Sequence, residues 1–505
     1  MGSLASWWRL IGAVWVLARA DALLPVEAEP FVSPSVRALG RLARLCAGPQ
    51  ARQGRPGQRL AKAFERLGPV AIKLGQFLST RGDIFGQTFA DDIGLLKDRL
   101  APFPTAVAIA EVEAGVGRPL DHLFKSFDAA VGAASLAQAH PAQLLDGRRV
   151  AVKVLRPNIE SRVAADTETL LLAARLINGW PSARRLAPSA AAATLARSLR
   201  LELDLRFEAA GADELRAVMD NDGYIQAPKV VWEGVGKRIL TLEWASGLAL
   251  SDAASLEQEG LDRRRLADNL LRGFLAQALD HGVFHADLHE GNLFIGPPAS
   301  VSVVDFGIIG RLGAAERRYL AEILWGFLRR DYTRLAAVHF EAGYVDSFHD
   351  RAAFAQALRA VGEPLFGRSA KDVSMERLLT QLFEITALFE MRLRPELILL
   401  QKTMVTVEGV ARRIDPDCDI WSAAEPVVRR WVTRELSPTH RFRHAASEAI
   451  DALRAISSLA IHPHPPPETA QERGLDLSQP ASAWFGFGLG VLAAAAAFAA
   501  AAWLR

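Results

Sequence analysis

A mixed α+β fold in two parts, a small sheet-bearing part followed by a larger and mainly helical one, is what this sequence predicts. Three observations carry the prediction. From about Phe127 short apolar runs alternate with turns, and Arg149–Leu155 reads as a strand leaving the turn at Asp146-Gly147. Residues 262–281 form a strongly apolar helix, followed by short strands around Leu293–Ile295 and Val301–Val304. Residues 314–457 then read as almost wholly helical. Between the first and second of these stretches, residues 162–219 read as helical, and Lys229–Val231 and Arg238–Glu243 as strands.

The chain has 505 residues, half of them hydrophobic, which is enough for one large domain or a few ordinary ones with a sizeable core. Lys and Arg number 59 against 57 Asp and Glu, so a net +2 gives no reason to expect a nucleic-acid partner. The only cysteines, Cys46 and Cys418, lack metal-ligand spacing and are expected to be two buried thiols in a reducing compartment. Hydropathy is unevenly spread. Trp484–Leu504 contains no charge, and as a helix it would be about 31 Å long, close to the hydrocarbon thickness of a bilayer. Tryptophans at both ends suit interfacial anchoring, and Gly486 and Gly490 form a GxxxG. The predicted result is a C-terminal transmembrane helix. At the other end, Arg9 and Arg19 flank a short apolar run that lacks a signal-peptide cleavage pattern. It reads as an amphipathic helix lying on a membrane or on the domain.

After the basic connector Ala51–Gln58, a helix is predicted from Gly68-Pro69, with Val70, Leu74, Phe77 and Leu78 on its apolar stripe. Lys73 and Gln76 fall on another face. Gly75 inside this helix costs about 1 kcal/mol relative to alanine and asks for a reason, such as close approach of another backbone.

The strongest chemical signal is HADLHEGN followed by VVDFG. Asp287 precedes Asn292 by five residues and Asp305 by eighteen. A protein-kinase catalytic loop sets its Asp and Asn at that five-residue separation, with D-F-G downstream. The residue types follow from the chemistry. Hard oxygens from Asn292 and Asp305 suit Mg²⁺, which neutralises charge on a transferring phosphoryl group, and Asp287 can accept or orient a proton. VAVKV puts Lys153 on a strand, where it needs an anion; nucleotide phosphates and Glu208 would supply one. No GxGxxG precedes Lys153. Gly132, Ala133, Ala134 and Ser135 stand there instead and can still turn tightly over phosphates as a stiffer lid. Ala286 replaces the arginine that usually precedes the catalytic Asp, no APE follows Asp305, and DFGIIGRLGAAERR runs straight into helix. The predicted fold is therefore protein-kinase-like and two-lobed, with an N-terminal helical extension and an enlarged helical C-lobe. Its parts are residues 1–58 (amphipathic helical segment), 59–126 (helical extension), 127–460 (kinase-like domain), 461–480 (Pro-rich linker) and 481–505 (membrane tail).

Four motifs in order, KLGQ at Lys73–Gln76, the Ala-rich loop ending in AQAH, ELD at Glu202–Asp204 and HADLHEGN, resemble the UbiB family, the atypical protein-kinase-like proteins of ubiquinone (coenzyme Q) biosynthesis. The resemblance covers residues from about 30 to 460. It implies that the KxGQ helix folds over the nucleotide cleft and contacts the ExD acids. Glu208 would partner Lys153, while Glu202 and Asp204 face the helix of Lys73 and Gln76 in a regulatory role, all three acids lying in one helical stretch. Gly132 departs from the family, where many members have a third alanine.

The function expected is a membrane-associated atypical kinase or ATPase that supports ubiquinone biosynthesis, binds ATP or ADP with Mg²⁺, and handles or regulates access to lipid precursors. Two alternatives stand beside it: a small-molecule phosphotransferase of the aminoglycoside or choline type, and a nucleotide-binding scaffold without catalysis. Expected partners are the lipid bilayer, polyprenyl or quinone precursors, ubiquinone-biosynthesis enzymes and a second copy of the chain. The expected location is the inner membrane, with the kinase-like domain on the cytoplasmic face.

Overall fold

A computed structural model of the chain describes residues 4–25, 34–48, 51, 53–79, 86–96, 101–178, 187–366, 385, 388–391 and 395–435. The predicted linker and the apolar run from Trp484 lie outside them. Among the described residues no helix is long and apolar enough to cross a membrane. The chain forms two compact units. Among the described residues, the first takes those up to Ala210 together with Lys229–Trp244, and the second takes Gly211–Pro228 and those from Ala245 to Glu435.

In the first unit, helices α1 (Leu4–Arg19), α2 (Pro34–Ala43), α3 (Pro56–Leu67), α4 (Pro69–Ser79), α5 (Gln87–Gly94) and α6 (Thr105–Val116) precede a five-stranded sheet. Its strands are β1 (Phe124–Phe127), β2 (Gly132–Ala133), β3 (Ala137–Leu144), β4 (Arg149–Leu155) and β5 (Ile239–Glu243). The order is β1-β3-β4-β5, with β2 pairing β3, and every pairing is antiparallel. The sheet begins a few residues before the predicted change of pattern at Phe127. Period-two alternation sets its faces: Val150, Val152 and Val154 are wholly buried against Val112, Phe124, Leu144 and Ile239. Lys153 therefore emerges on the opposite face. Lys229–Val231 is not a strand; only Val230 bridges to Leu242.

The predicted helical region 162–219 resolves into α7 (Ile159–Asn178), α8 (Pro188–Glu202) and α9 (Leu205–Asp222), the last running across the boundary between the units. Gly75 is fully enclosed within α4. A Cβ there would lie 2.1 Å from Leu96 Cδ1 and 2.8 Å from Phe64 Cδ2, so side chains of neighbouring segments, not another backbone, exclude a larger residue.

In the second unit, β6 (Leu248–Ala249) precedes α10 (Arg263–Ala276). The predicted helix does run to residue 281, but its last turn, Gln277–His281, widens from α to π before Gly282 ends it in a left-handed conformation. Next come β7 (Val283–His285), β8 (Leu293–Gly296), β9 (Ser300–Val303) and β10 (Ile309–Arg311). β7 pairs with β10, and β8 sits between β6 and β9. Strand β10 lies where the sequence predicts direct entry into helix. Helices α11 (Ala314–Arg329), α12 (Tyr332–Glu341), α13 (Arg351–Phe366), α14 (Pro395–Ile414) and α15 (Ile420–Glu435) follow among the described residues, with Asp331 capping α12 by accepting from the Arg334 amide at 2.9 Å. Cys418 is buried and burial pushes its thiol up to about 12, but Cys46 is exposed, so only one of the two expected buried thiols is buried.

Candidate active site

The first unit carries the cationic equipment. Antiparallel register sets Lys153 on β4 opposite Ala139 of β3 and Leu240 of β5. Its Nζ donates to both carboxylate oxygens of Glu208, at 2.7 and 2.9 Å. Glu208 lies in the first turn of α9 with its side chain only 9% exposed, so the lysine meets a carboxylate largely removed from water. Lys73 on α4 pairs with Glu202, the last residue of α8, at 2.7 Å.

Asp204 differs from expectation. The chain leaves the helix after Glu202, so Glu202, Asp204 and Glu208 do not share one helical stretch. Asp204 precedes α9 and accepts from the Arg206 amide and guanidinium, with Arg206 Nη2 at 2.6 Å. This charge-assisted bonding holds its carboxyl below the usual range, and Asp204 is engaged locally, not by the helix of Lys73. The ExD motif is therefore divided: one acid reaches the KxGQ helix and the other orders the start of the helix that bears Glu208.

In the Ala-rich segment, Gly132 and Ala133 pair with Ala139 and Gln138, and the Ala134 amide donates to the Ala137 carbonyl at 2.8 Å to close the turn enclosing Ser135. Arg156, just past β4, donates to the Ala134 carbonyl at 2.9 Å, and its amide donates to that of Leu136 at 2.9 Å. The AQAH motif is structural: Gln138 accepts from the Phe103 amide at 2.9 Å, and buried His140 hydrogen-bonds the Asp128 carbonyl at 2.9 Å.

The second unit carries the acidic equipment. Asp287 and Asn292 lie between β7 and β8. The β8–β9 hairpin returns the chain, and the Val304 amide donates to the Asn292 carbonyl at 2.9 Å. That bond is why a separation of eighteen residues in sequence brings Asp305 beside this loop. Asn292 Nδ2 donates to the Asp287 carbonyl at 3.0 Å, leaving its Oδ1 as acceptor. Asp305 adopts φ 65°, a left-handed conformation that Asp tolerates better than most residues.

His285, to which the sequence reading gave no role, joins the two segments. Its Nδ1 accepts from the Asp287 amide at 3.2 Å, so its Nε2 carries the proton and donates to the Asp305 carbonyl at 2.8 Å. Burial pushes its pKa below the ordinary imidazole value despite that bond, which favours this neutral tautomer. A histidine at the end of the apolar run Val283-Phe284 was the available signal. Two residues of α14 were also missed. Thr403 donates to the Ala286 carbonyl at 3.1 Å, and Arg413 pairs with Glu290. Both brace the loop where Ala286 replaces arginine, and no local pattern marks a brace more than a hundred residues away.

One amide oxygen and one carboxylate are the modest share of protein ligands that Mg²⁺ accepts when phosphate and water supply the rest. Among the described residues no group of three or more His, Cys, Asp or Glu could cage a metal alone. Asn292 and Asp305 thus fit a metal that arrives with a phosphate.

Residues 95–339 match the ABC1 atypical kinase-like domain and residues 358–419 the UbiB helical domain. The Probable protein kinase UbiB of Marinobacter nauticus is 37% identical over 439 residues, covering 85% of this chain and 80% of that protein. The chain belongs to the UbiB family. The protein of the same name from Pseudomonas paraeruginosa is 35% identical over 433 residues, covering 83% and 81%, and that of Xylella fastidiosa strain 9a5c 37% over 395, covering 77% and 72%. Among solved structures, Rv3197 of Mycobacterium tuberculosis, determined with erythromycin, has a TM-score of 0.50 at 20% identity, over 77% of this chain and 95% of its own. That likeness concerns the kinase-like fold. Helix α14, with Thr403 and Arg413, falls inside the UbiB helical domain, so this region braces the loop that carries Asp287 and Asn292 directly.

Proposed function

We propose that this UbiB-family chain binds Mg-ATP and works as a slow, membrane-associated ATPase or kinase in ubiquinone biosynthesis, controlling access to lipid-linked precursors. Lys153 and Glu208 would place phosphates, Asn292 and Asp305 would hold Mg²⁺, and Asp287 would orient the attacking group. The metal would neutralise charge building on the transferring phosphoryl group. The bidentate Lys153–Glu208 pair carries the reading, because it keeps a strand lysine extended and charged beside the sheet. Membrane attachment through the run from Trp484 and a cytoplasmic orientation belong to the same proposal.

Water is the proposed acceptor. The chain has no APE segment after Asp305, and Lys73 of the helical extension is tied to Glu202 at the end of α8. Positioning dominates phosphoryl transfer, so a poised nucleotide without a docked peptide would pass its phosphoryl group slowly to water. A phosphate-release assay with and without polyprenyl-phenol precursors, run beside a labelled-ATP screen of soluble and membrane proteins, tests this. Lipid-stimulated release without protein labelling is expected. Rapid labelling of a specific protein, with release indifferent to lipid, would restore an ordinary protein kinase.

A further inference from the structure

We propose that α1 is an interfacial docking helix that lies flat on an anionic lipid surface. Its inner face is already used. Leu10, with Trp7 beside it, packs on Leu172 and Ala173 of α7, and Arg9 is tied to Asp166 of that helix at 2.8 Å. The outer face carries Leu4, Trp8 and Trp15 at spacings of four and seven residues, 82%, 72% and 53% exposed. Just beyond the helix, Leu42 and Leu45 add two more large exposed apolar side chains, 58% and 78% exposed. The Gly48 amide donates to the Arg19 carbonyl at 3.1 Å, and Arg44 approaches Asp21 at 3.6 Å, so the Leu42–Leu45 segment adjoins the C-terminal end of α1.

The composition and geometry select a lipid surface as occupant. Two tryptophans on one exposed face have an apolar body and a polar N–H, which suits the headgroup boundary. Helix α1 and the segment Pro34–Cys46 contain five arginines and no acidic residue; Arg9 and Arg44 are paired with Asp166 and Asp21, and the stretch still carries a net positive charge that complements anionic headgroups. Arg19 lies 5.8 Å from the Trp15 ring centre, placing a cation at the rim of the apolar stripe. The helix does not cross the bilayer. Its 16 residues would span only about 24 Å, and Arg9 is committed to Asp166. The docking is thus separate from any anchor at the C-terminal run.

The chain supplies its own reporter. Cys46 is exposed beside Leu45, whereas Cys418 is buried with its thiol pushed up to about 12, so a thiol-reactive environment-sensitive dye marks Cys46 alone. The full chain, so labelled, is mixed with phosphatidylcholine vesicles with or without phosphatidylglycerol and a spin-labelled lipid quencher. The expected result is a blue shift with lipid quenching, strongest on the anionic vesicles. In Trp8→Ser/Trp15→Ser the quenched fraction should fall roughly tenfold, as expected for losing two large interfacial side chains. Thermal unfolding should stay unchanged, since both rings face outward; if the double variant fails to fold, Trp8→Ser alone should show a smaller loss of the same sign. The C-terminal run is present in every sample and cannot produce the difference. A dye that stays water-exposed on anionic vesicles would overturn the proposal. Equal quenching in the folded variant would do so too, as would a blue shift that needs no lipid and grows with protein concentration, which would assign the face to a second copy.

Discussion

Replacing Lys153 by Met removes two charge-assisted hydrogen bonds, at 2.7 and 2.9 Å, from a carboxylate whose side chain is 9% exposed. The lysine itself is 28% exposed, so the pair is only partly desolvated. Leaving Glu208 without this cation should cost on the order of 1–3 kcal/mol of stability. Replacing both partners by apolar residues of similar shape is far cheaper, so Lys153→Met/Glu208→Leu should recover most of the loss. Nucleotide binding should behave differently. One hydrogen bond between a charged group and phosphate is worth about 1.5–3 kcal/mol, or roughly 10- to 150-fold in affinity. That loss should persist in the double variant, because neither apolar side chain can meet a phosphate. Chemical unfolding and Mg-ATP titration calorimetry on all four members of the cycle separate the two effects. Recovery of nucleotide affinity together with stability would show that Lys153 serves the fold alone and would refute the phosphate assignment.

Three further outcomes follow from local geometry. Gly75→Ala should destabilise by a net 1–2 kcal/mol or so, because collision with Leu96 and Phe64 outweighs the helical preference for alanine; a gain near 1 kcal/mol in thermal unfolding would show that the pocket yields. Gly132→Ala should be neutral or stabilise by about 0.4–1 kcal/mol, since Gly132 has no positive φ and nothing lies within 4 Å of its would-be Cβ; a marked loss in the same assay would show that this strand needs glycine. His140, His285 and His339 all have pKa values lowered by burial, so below the ordinary imidazole value of about 6.5 the unfolded chain binds protons that these native rings refuse. Their contribution is present above that pH and is lost as pH falls through the lowered values, by up to about 1.4 kcal/mol per pH unit per histidine. Unfolding curves from pH 7 to 5 check this, and a flat profile would contradict it.

The segments that carry the candidate site residues were legible because their pattern is local. Strand alternation placed Lys153, and fixed spacings placed Asp287, Asn292 and Asp305. The Lys153–Glu208 partnership, expected from the strand lysine's need for an anion and from the family resemblance, is present as an ion pair. What escaped depended on tertiary structure. A helix break at Leu203-Asp204 is invisible to periodicity, because Asp204 reads equally well as a helical residue and as the acceptor for the Arg206 amide. The π-turn at Gln277–His281 looks apolar and helical in sequence, yet its widening delivers Gln277 Oε1 to the His285 amide at 3.0 Å. Thr403 reads as an unremarkable helical residue until the fold brings its hydroxyl to Ala286. Gly75 was recognised as requiring a neighbour, but the sequence could not say that the neighbours were Leu96 and Phe64.

Metal-dependent nucleotide binding in Asp305→Asn decides whether Asn292 and Asp305 would hold the metal that accompanies ATP. Asparagine keeps the shape and tolerates the left-handed φ of 65°, so the fold should survive with its unfolding midpoint nearly unchanged. Losing the anionic oxygen should abolish the enhancement of ATP affinity by Mg²⁺, and should also remove the signal of Mn²⁺ bound with ATP in electron paramagnetic resonance. Undiminished Mg-ATP affinity in a folded Asp305→Asn variant would contradict the metal assignment and the phosphoryl-transfer reading built on it.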